Sequence, residues 1–126
     1  MYSPQMLTQF ENPRFVGELP GADVDVRQEN PACGDILRLT LKCNDGHISQ
    51  ARFRAKGCVA AIASASQLCE MLEGKSTEQA RTLRREEIVA ALGGLPEASV
   101  HASHLAFDAL QAALRKLSDQ ARSAKI

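Results

Sequence analysis

The chain has 126 residues and a mass of 13.6 kDa, enough for one domain, and its 15 lysines and arginines balance 15 aspartates and glutamates. Zero net charge excludes bulk electrostatic attraction as a basis for binding nucleic acid or an anionic membrane. At 44% apolar and 24% charged residues the composition is that of a folded chain, and no apolar run approaches the ~18 residues of a membrane span.

Ser3-Pro4 followed by Gln5–Phe10 reads as a short capped helix, with proline in its first turn and Asn12-Pro13 ending it. Residues 11–21 contain Pro13, Gly17, Pro20 and Gly21 and read as a loop. In Ala22–Arg27, Val24 and Val26 alternate with aspartates, the pattern of a short strand. Asp35–Cys43 is a clearer strand: Leu37, Leu39, Leu41 and Cys43 share one face, and Arg38, Thr40 and Lys42 the other. Asn44-Asp45-Gly46 supplies a turn, and His47–Ala55 returns with Ala51, Phe53 and Ala55 facing inward. Ile48 is out of phase with that set, which predicts a bulge near Ser49–Gln50.

Beyond Gly57 the periodicity changes. Cys58–Glu73 lacks glycine and proline, is rich in alanine and stops at Gly74, as a buried helix would. Ser76–Ala80 and Arg84–Leu92 are two shorter helices, and Gly93-Gly94 and Pro96 break the helical pattern after them. A last helix is predicted over Ser103 to Arg122, with Leu110, Ala113, Leu114 and Leu117 as its apolar stripe. The order implies an α+β domain, a three-stranded antiparallel sheet covered by helices on one face. Aromatics are only 4% and tryptophan is absent, so the core is aliphatic and thin, and a metal or partner would add to its stability.

The N-terminus lacks a basic segment followed by an apolar one, so the expected location is cytoplasmic. Four cysteines, Cys33, Cys43, Cys58 and Cys69, are then expected as thiols open to metal binding or reaction, with no CxxC pair among them. Cys33 lies 12 residues before Asp45 and Cys58 lies 13 after it. An antiparallel hairpin about that turn brings both to one end of the sheet. Asp35 can point to the same side, with Gly34 letting the chain bend between it and Cys33. Cys58 also opens a helix, where the macrodipole favours negative charge. Two thiolates and a carboxylate converging there resemble a metal site short of one ligand. The plainer alternative is two small buried cysteines beside a turn aspartate. Cys43, ~33 Å from Cys33 at strand rise, and Cys69, ~16 Å from Cys58 at helix rise, cannot share such a site and are expected in the core.

The run Asn30-Pro31-Ala32-Cys33-Gly34-Asp35, then Gly46, Ala51-Arg52-Phe53, Gly57-Cys58 and Ala61-Ile62-Ala63-Ser64-Ala65-Ser66, resembles the iron–sulfur cluster assembly scaffolds. That family comprises IscU-type proteins and the NifU N-terminal domain. Tyr2-Ser3, Glu11-Asn12-Pro13-Arg14, Val16-Gly17, Gly74-Lys75-Ser76 and the stretch from His101 to Leu110 extend the resemblance over nearly the whole chain. It implies a SufE/NifU-like fold and a non-enzymatic role. Such a scaffold builds a 2Fe-2S cluster from iron and sulfur supplied by a cysteine desulfurase and passes it to acceptor apoproteins, with zinc as an alternative occupant. By position, Cys33 and Cys58 match cluster ligands, Asp35 the aspartate that keeps the cluster labile, and His101 the histidine before a third cysteine. That third position is Ala102, which can neither coordinate nor carry a persulfide. The family's Leu-Pro-Pro-Val-Lys segment, recognised by an Hsp70-type chaperone, reads Leu95-Pro96-Glu97-Ala98-Ser99, which puts that docking in doubt. The Tyr2 segment suggests a family-like homodimer, or a helix folded back on its own domain.

Of the histidines, His47 beside the turn reads as a solvated residue. His104, three residues after His101, shares a face with it if the helix already begins there, and is a candidate additional ligand replacing what Ala102 lacks. Cys33, Asp35, Cys58 and His101 together would satisfy a tetrahedral zinc site, or hold ferrous iron or a cluster. Two other functions compete with a working scaffold. One is a degenerate paralogue that binds zinc and regulates or occupies the desulfurase. The other is a thiol enzyme using Cys58 with His101, for which no oxyanion-hole motif is present.

Overall fold

The computed structural model describes residues 2–31 and 34–124, with side chains through 120. Its elements run α1 (Pro4–Glu11), β1 (Val24–Asn30), β2 (Asp35–Asn44), β3 (His47–Lys56), α2 (Val59–Leu72), α3 (Thr77–Arg81), α4 (Arg85–Ala91) and α5 (Val100–Ala124). The three strands form one antiparallel sheet in the order β1-β2-β3, as the alternating patterns predict. Val26, Leu39 and Phe53 lie side by side across it, and with Val24, Leu37, Leu41 and Ala51 make its buried face. Helix α2 covers β3, and α5 covers β1 and β2 on that face. Apolar side chains of both fill the core, Leu68 and Leu72 from α2 and Leu105 and Leu110 from α5 among them. Leu39 is fully buried at the centre of the middle strand. Leu39→Ala is therefore expected to cost about 2–5 kcal/mol, read from urea unfolding. No helix among the described residues is long and apolar enough to cross a membrane.

Two local details fix the hairpin that carries the site. Asp45 and Gly46 both have positive φ, 52° and 78°, as the tight two-residue loop between Asn44 and His47 requires. Lys42 pairs with Gln50 but Cys43 pairs with Ile48, so Ser49 is the extra residue of the expected bulge. The shift turns Ile48 into the core, and the Ser49 hydroxyl donates to the Lys42 carbonyl at 3.0 Å.

Besides β1 running Val24–Asn30 rather than Ala22–Arg27, the structure departs from the sequence-based expectation at two places. Residues 11–21 are not a simple loop: the Phe53 amide donates to the Phe15 carbonyl at 2.9 Å and the Gly17 amide to the Phe53 carbonyl at 2.8 Å. Further along the same edge of β3, Ile48 exchanges two 2.8 Å backbone bonds with Gly74 and Lys75. These two segments pair parts of an edge that would otherwise offer its backbone to another chain. The second departure is the start of the last helix. A 3₁₀ turn at Glu97–Ser99 winds directly into α5, which begins at Val100 rather than Ser103. Ser103 reads as a helix start but is an interior residue, its hydroxyl bonding back to the Val100 carbonyl at 2.7 Å.

On the opposite face of the sheet Arg27, Arg38 and Arg54 are cross-strand neighbours, an unfavourable row of like charge. Acids offset it. Arg38 donates to both carboxylate oxygens of Asp25, at 2.9 and 2.6 Å, and Glu18 lies 2.9 Å from both Arg38 and Arg54. The Arg38 hydrogen bonds hold the Asp25 carboxyl below its usual range.

Candidate metal centre

Asp35 is the first residue of β2 and pairs with Asn30 across the β1–β2 connection. That turn is closed by the Gly34 amide donating to the Asn30 carbonyl at 2.7 Å, with Gly34 at φ 77°. The Asp35 carboxylate is consequently held at the end of the sheet, and the residue is only 7% exposed. Cys58 occupies the N-cap position of α2 in extended conformation, immediately after β3, and its carbonyl accepts the Ile62 amide at 3.2 Å. Its side chain makes no capping bond and instead places Sγ 3.8 Å from Asp35 Oδ2. His101, in the first turn of α5, brings Nε2 to 3.7 Å from the same oxygen. A thiol, a carboxylate and an imidazole from three elements thus present ligand atoms all within 4.8 Å of one another.

His101 is in the first turn of α5 because that helix begins at Val100, ahead of Ser103. Arg85 of α4 donates to the Ser103 hydroxyl at 3.1 Å, tying down the turn from which His101 projects. Ala102, beside it, is 1% exposed and belongs to the core. His104 does share a side of α5 with His101, and both line a cleft with Glu29 and Asp108, but His104 is exposed. Among the described residues the converging group is Asp35, Cys58 and His101, without His104. Cys33, and with it the expected approach of Cys33 to Cys58, lies outside the described residues.

Neither remaining thiol joins the converging donors, but only Cys69 lies in the core, where both were expected. Cys43 sits half-buried at the turn end of β2, its thiol pushed up by burial and by the Asp23 carboxylate. Cys69 is fully buried in α2, and desolvation above all raises its thiol far above the usual range. Since the thiolate is the reacting species, iodoacetamide is expected to modify Cys69 in the folded protein at least about tenfold more slowly than Cys58. Cys69→Ala is expected to leave metal content unchanged, and peptide mapping with elemental analysis checks both outcomes.

The donor set suits a borderline divalent ion. Thiolate and imidazole are common ligands of zinc and iron, a carboxylate completes mixed sites, and burial of Asp35 restricts competition from water.

Residues 1–124 match the NifU-like N terminal domain family. The chain is 42% identical over 114 residues to an iron–sulfur cluster assembly scaffold protein IscU of Archaeoglobus fulgidus, covering 90% of this chain and 74% of that protein. It is also 42% identical over 118 residues to the iron–sulfur cluster assembly scaffold protein IscU of Azotobacter vinelandii, covering 90% and 91%. The crystal structure of a NifU-like protein (N-terminal) from Brucella abortus superposes with a TM-score of 0.75 at 20% identity, over 93% of this chain and 94% of that one.

Proposed function

The chain belongs to the NifU-like N-terminal domain family, and from that premise we propose that it is a cytoplasmic iron–sulfur cluster assembly scaffold. Its cargo is iron or a 2Fe-2S cluster, with zinc as an alternative occupant. Cys33, Asp35, Cys58 and His101 are the proposed ligands. A cysteine desulfurase supplies the sulfur, and acceptor apoproteins take the finished cluster. The observation that carries this reading is the convergence of Asp35, Cys58 and His101 within 4.8 Å, on elements far apart in sequence. The site lies at the exposed end of the sheet, with Cys58 and His101 only half-buried, as delivery and release of a cargo require.

Ala102, where the family pattern has a cysteine, favours a second reading: a zinc-binding paralogue that regulates or occupies the desulfurase. Anaerobic reconstitution with ferrous iron and sulfide separates the two. A visible-absorbing cluster at one per monomer or per dimer supports the scaffold, and a colourless protein that retains only zinc supports the paralogue. Light scattering on the same samples reads the oligomeric state.

A further inference from the structure

Most glycines in this chain have an evident backbone reason: Gly17, Gly21, Gly34, Gly46, Gly74, Gly93 and Gly94 all have positive φ. Gly57 does not, so its backbone would accept an L-residue. What it lacks room for is a side chain. A Cβ there would lie 2.6 Å from Asp35 Oδ1, 2.7 Å from Asp35 Cγ and 3.2 Å from Asp35 Cβ. The two contacts under 3.0 Å are with the carboxylate group, and the 3.2 Å approach to Cβ asks only for a shift of a few tenths of an ångström. Relief therefore requires Asp35 itself to turn away.

The register explains the conflict. Ile36 pairs with Lys56, so Asp35 and Gly57 are the next positions across the same two chains. Side chains at directly opposed positions project to the same side of a sheet. Asp35 fills the space that a side chain at 57 would occupy, with Oδ1 against Gly57 and Oδ2 toward Cys58 Sγ and His101 Nε2.

Building on the metal-binding reading above, we infer that Gly57 is a positioning residue, whose missing side chain is the seat that aims one oxygen of Asp35 at the metal site. Gly57→Ala then withdraws Oδ2 without removing any ligand and without straining the backbone. Displacing the group that orients a ligand typically weakens metal binding 10–100-fold, and a loss of about tenfold or more is expected here.

The test is a double-mutant cycle on the full chain, with zinc affinity measured by chelator competition and the ligand field read from the visible bands of bound cobalt. Gly57→Ala is expected to lower affinity and to shift the cobalt spectrum toward that of Asp35→Ala. In the Asp35→Ala background, adding Gly57→Ala is expected to change affinity by less than about twofold, because the coupled group is already gone. A Gly57→Ala protein that binds like the parent overturns the inference, and so does an equal loss in both backgrounds. A crystal structure of metal-free Gly57→Ala provides a readout independent of loading. A displaced Asp35 carboxylate supports the inference even if the parent binds no metal, which would instead defeat the proposed function. An unmoved carboxylate overturns it.

Discussion

Cys58→Ala is expected to abolish stoichiometric binding of zinc or ferrous iron, weakening affinity by at least about a thousandfold, or about 4 kcal/mol. The magnitude comes from the chemistry of the group removed. A structural zinc site draws about 10–16 kcal/mol from its ligands together, and thiolates contribute both the softest donors and negative charge. Alanine at 58 leaves the buried Asp35 carboxylate, the half-exposed His101 imidazole and only one of the two proposed thiolates, Cys33. It should not unfold the domain, because Cys58 makes no side-chain capping bond and α2 is held by the apolar residues from Ala60 to Leu72. Cys33→Ala is expected to have a comparable effect. Elemental analysis of anaerobically purified protein decides the matter, and a Cys58→Ala variant that keeps one metal per chain would remove Cys58 from the site.

Sulfur loading is expected chiefly on Cys58 or Cys33, with Cys58 the preferred acceptor. Alanine at 102 offers no sulfur nucleophile. Of the described thiols, Cys69 is sealed in the core and Cys43 stands at the far end of β2. Cys58 is half-buried at the N-cap of α2, beside Asp35 and His101. In the transfer, the Cys58 thiolate attacks the outer sulfur of the desulfurase persulfide. A new S–S bond forms on Cys58 as the old one breaks, and the desulfurase leaves as its thiolate. Each event adds one sulfur, about 32 Da, which mass spectrometry reads directly. Bound zinc engages the same lone pair, so zinc should slow loading severalfold and a chelator should restore it. Adducts found chiefly on Cys43 or Cys69 would refute this assignment.

Most of the sheet and the bulge were legible locally. Alternation in Asp35–Cys43 reports which side chains share a face, and Ile48 breaking phase reports an inserted residue, because strand periodicity is a property of the backbone itself. The pairing of Phe15 and Gly17 with Phe53 was not legible. Two hydrogen bonds between distant segments leave no period behind, and the prolines and glycines of 11–21 announce only irregular chain. Ser103 misled for a related reason: serine favours helix starts, but the 3₁₀ turn after Pro96 and the Arg85 contact extend α5 in front of it.

For the site, the turn at Asp45-Gly46 and the lengths of the two strands were sufficient to direct Asp35 and Cys58 to one end of the hairpin. Composition, strand period and resemblance supplied the fold class, the candidate donors and the gap at Ala102. His101 entered through resemblance alone, since no local rule brings a residue of the last helix to the open end of a sheet. The packing of α5 across β1 and β2 decided that, setting Nε2 beside Asp35 while leaving His104 in solvent. Tertiary structure alone also decided why residue 57 is glycine. Its backbone is ordinary, and the steric reason resides in the carboxylate of a residue across the hairpin, a distance that sequence spacing can bridge only once the register is known.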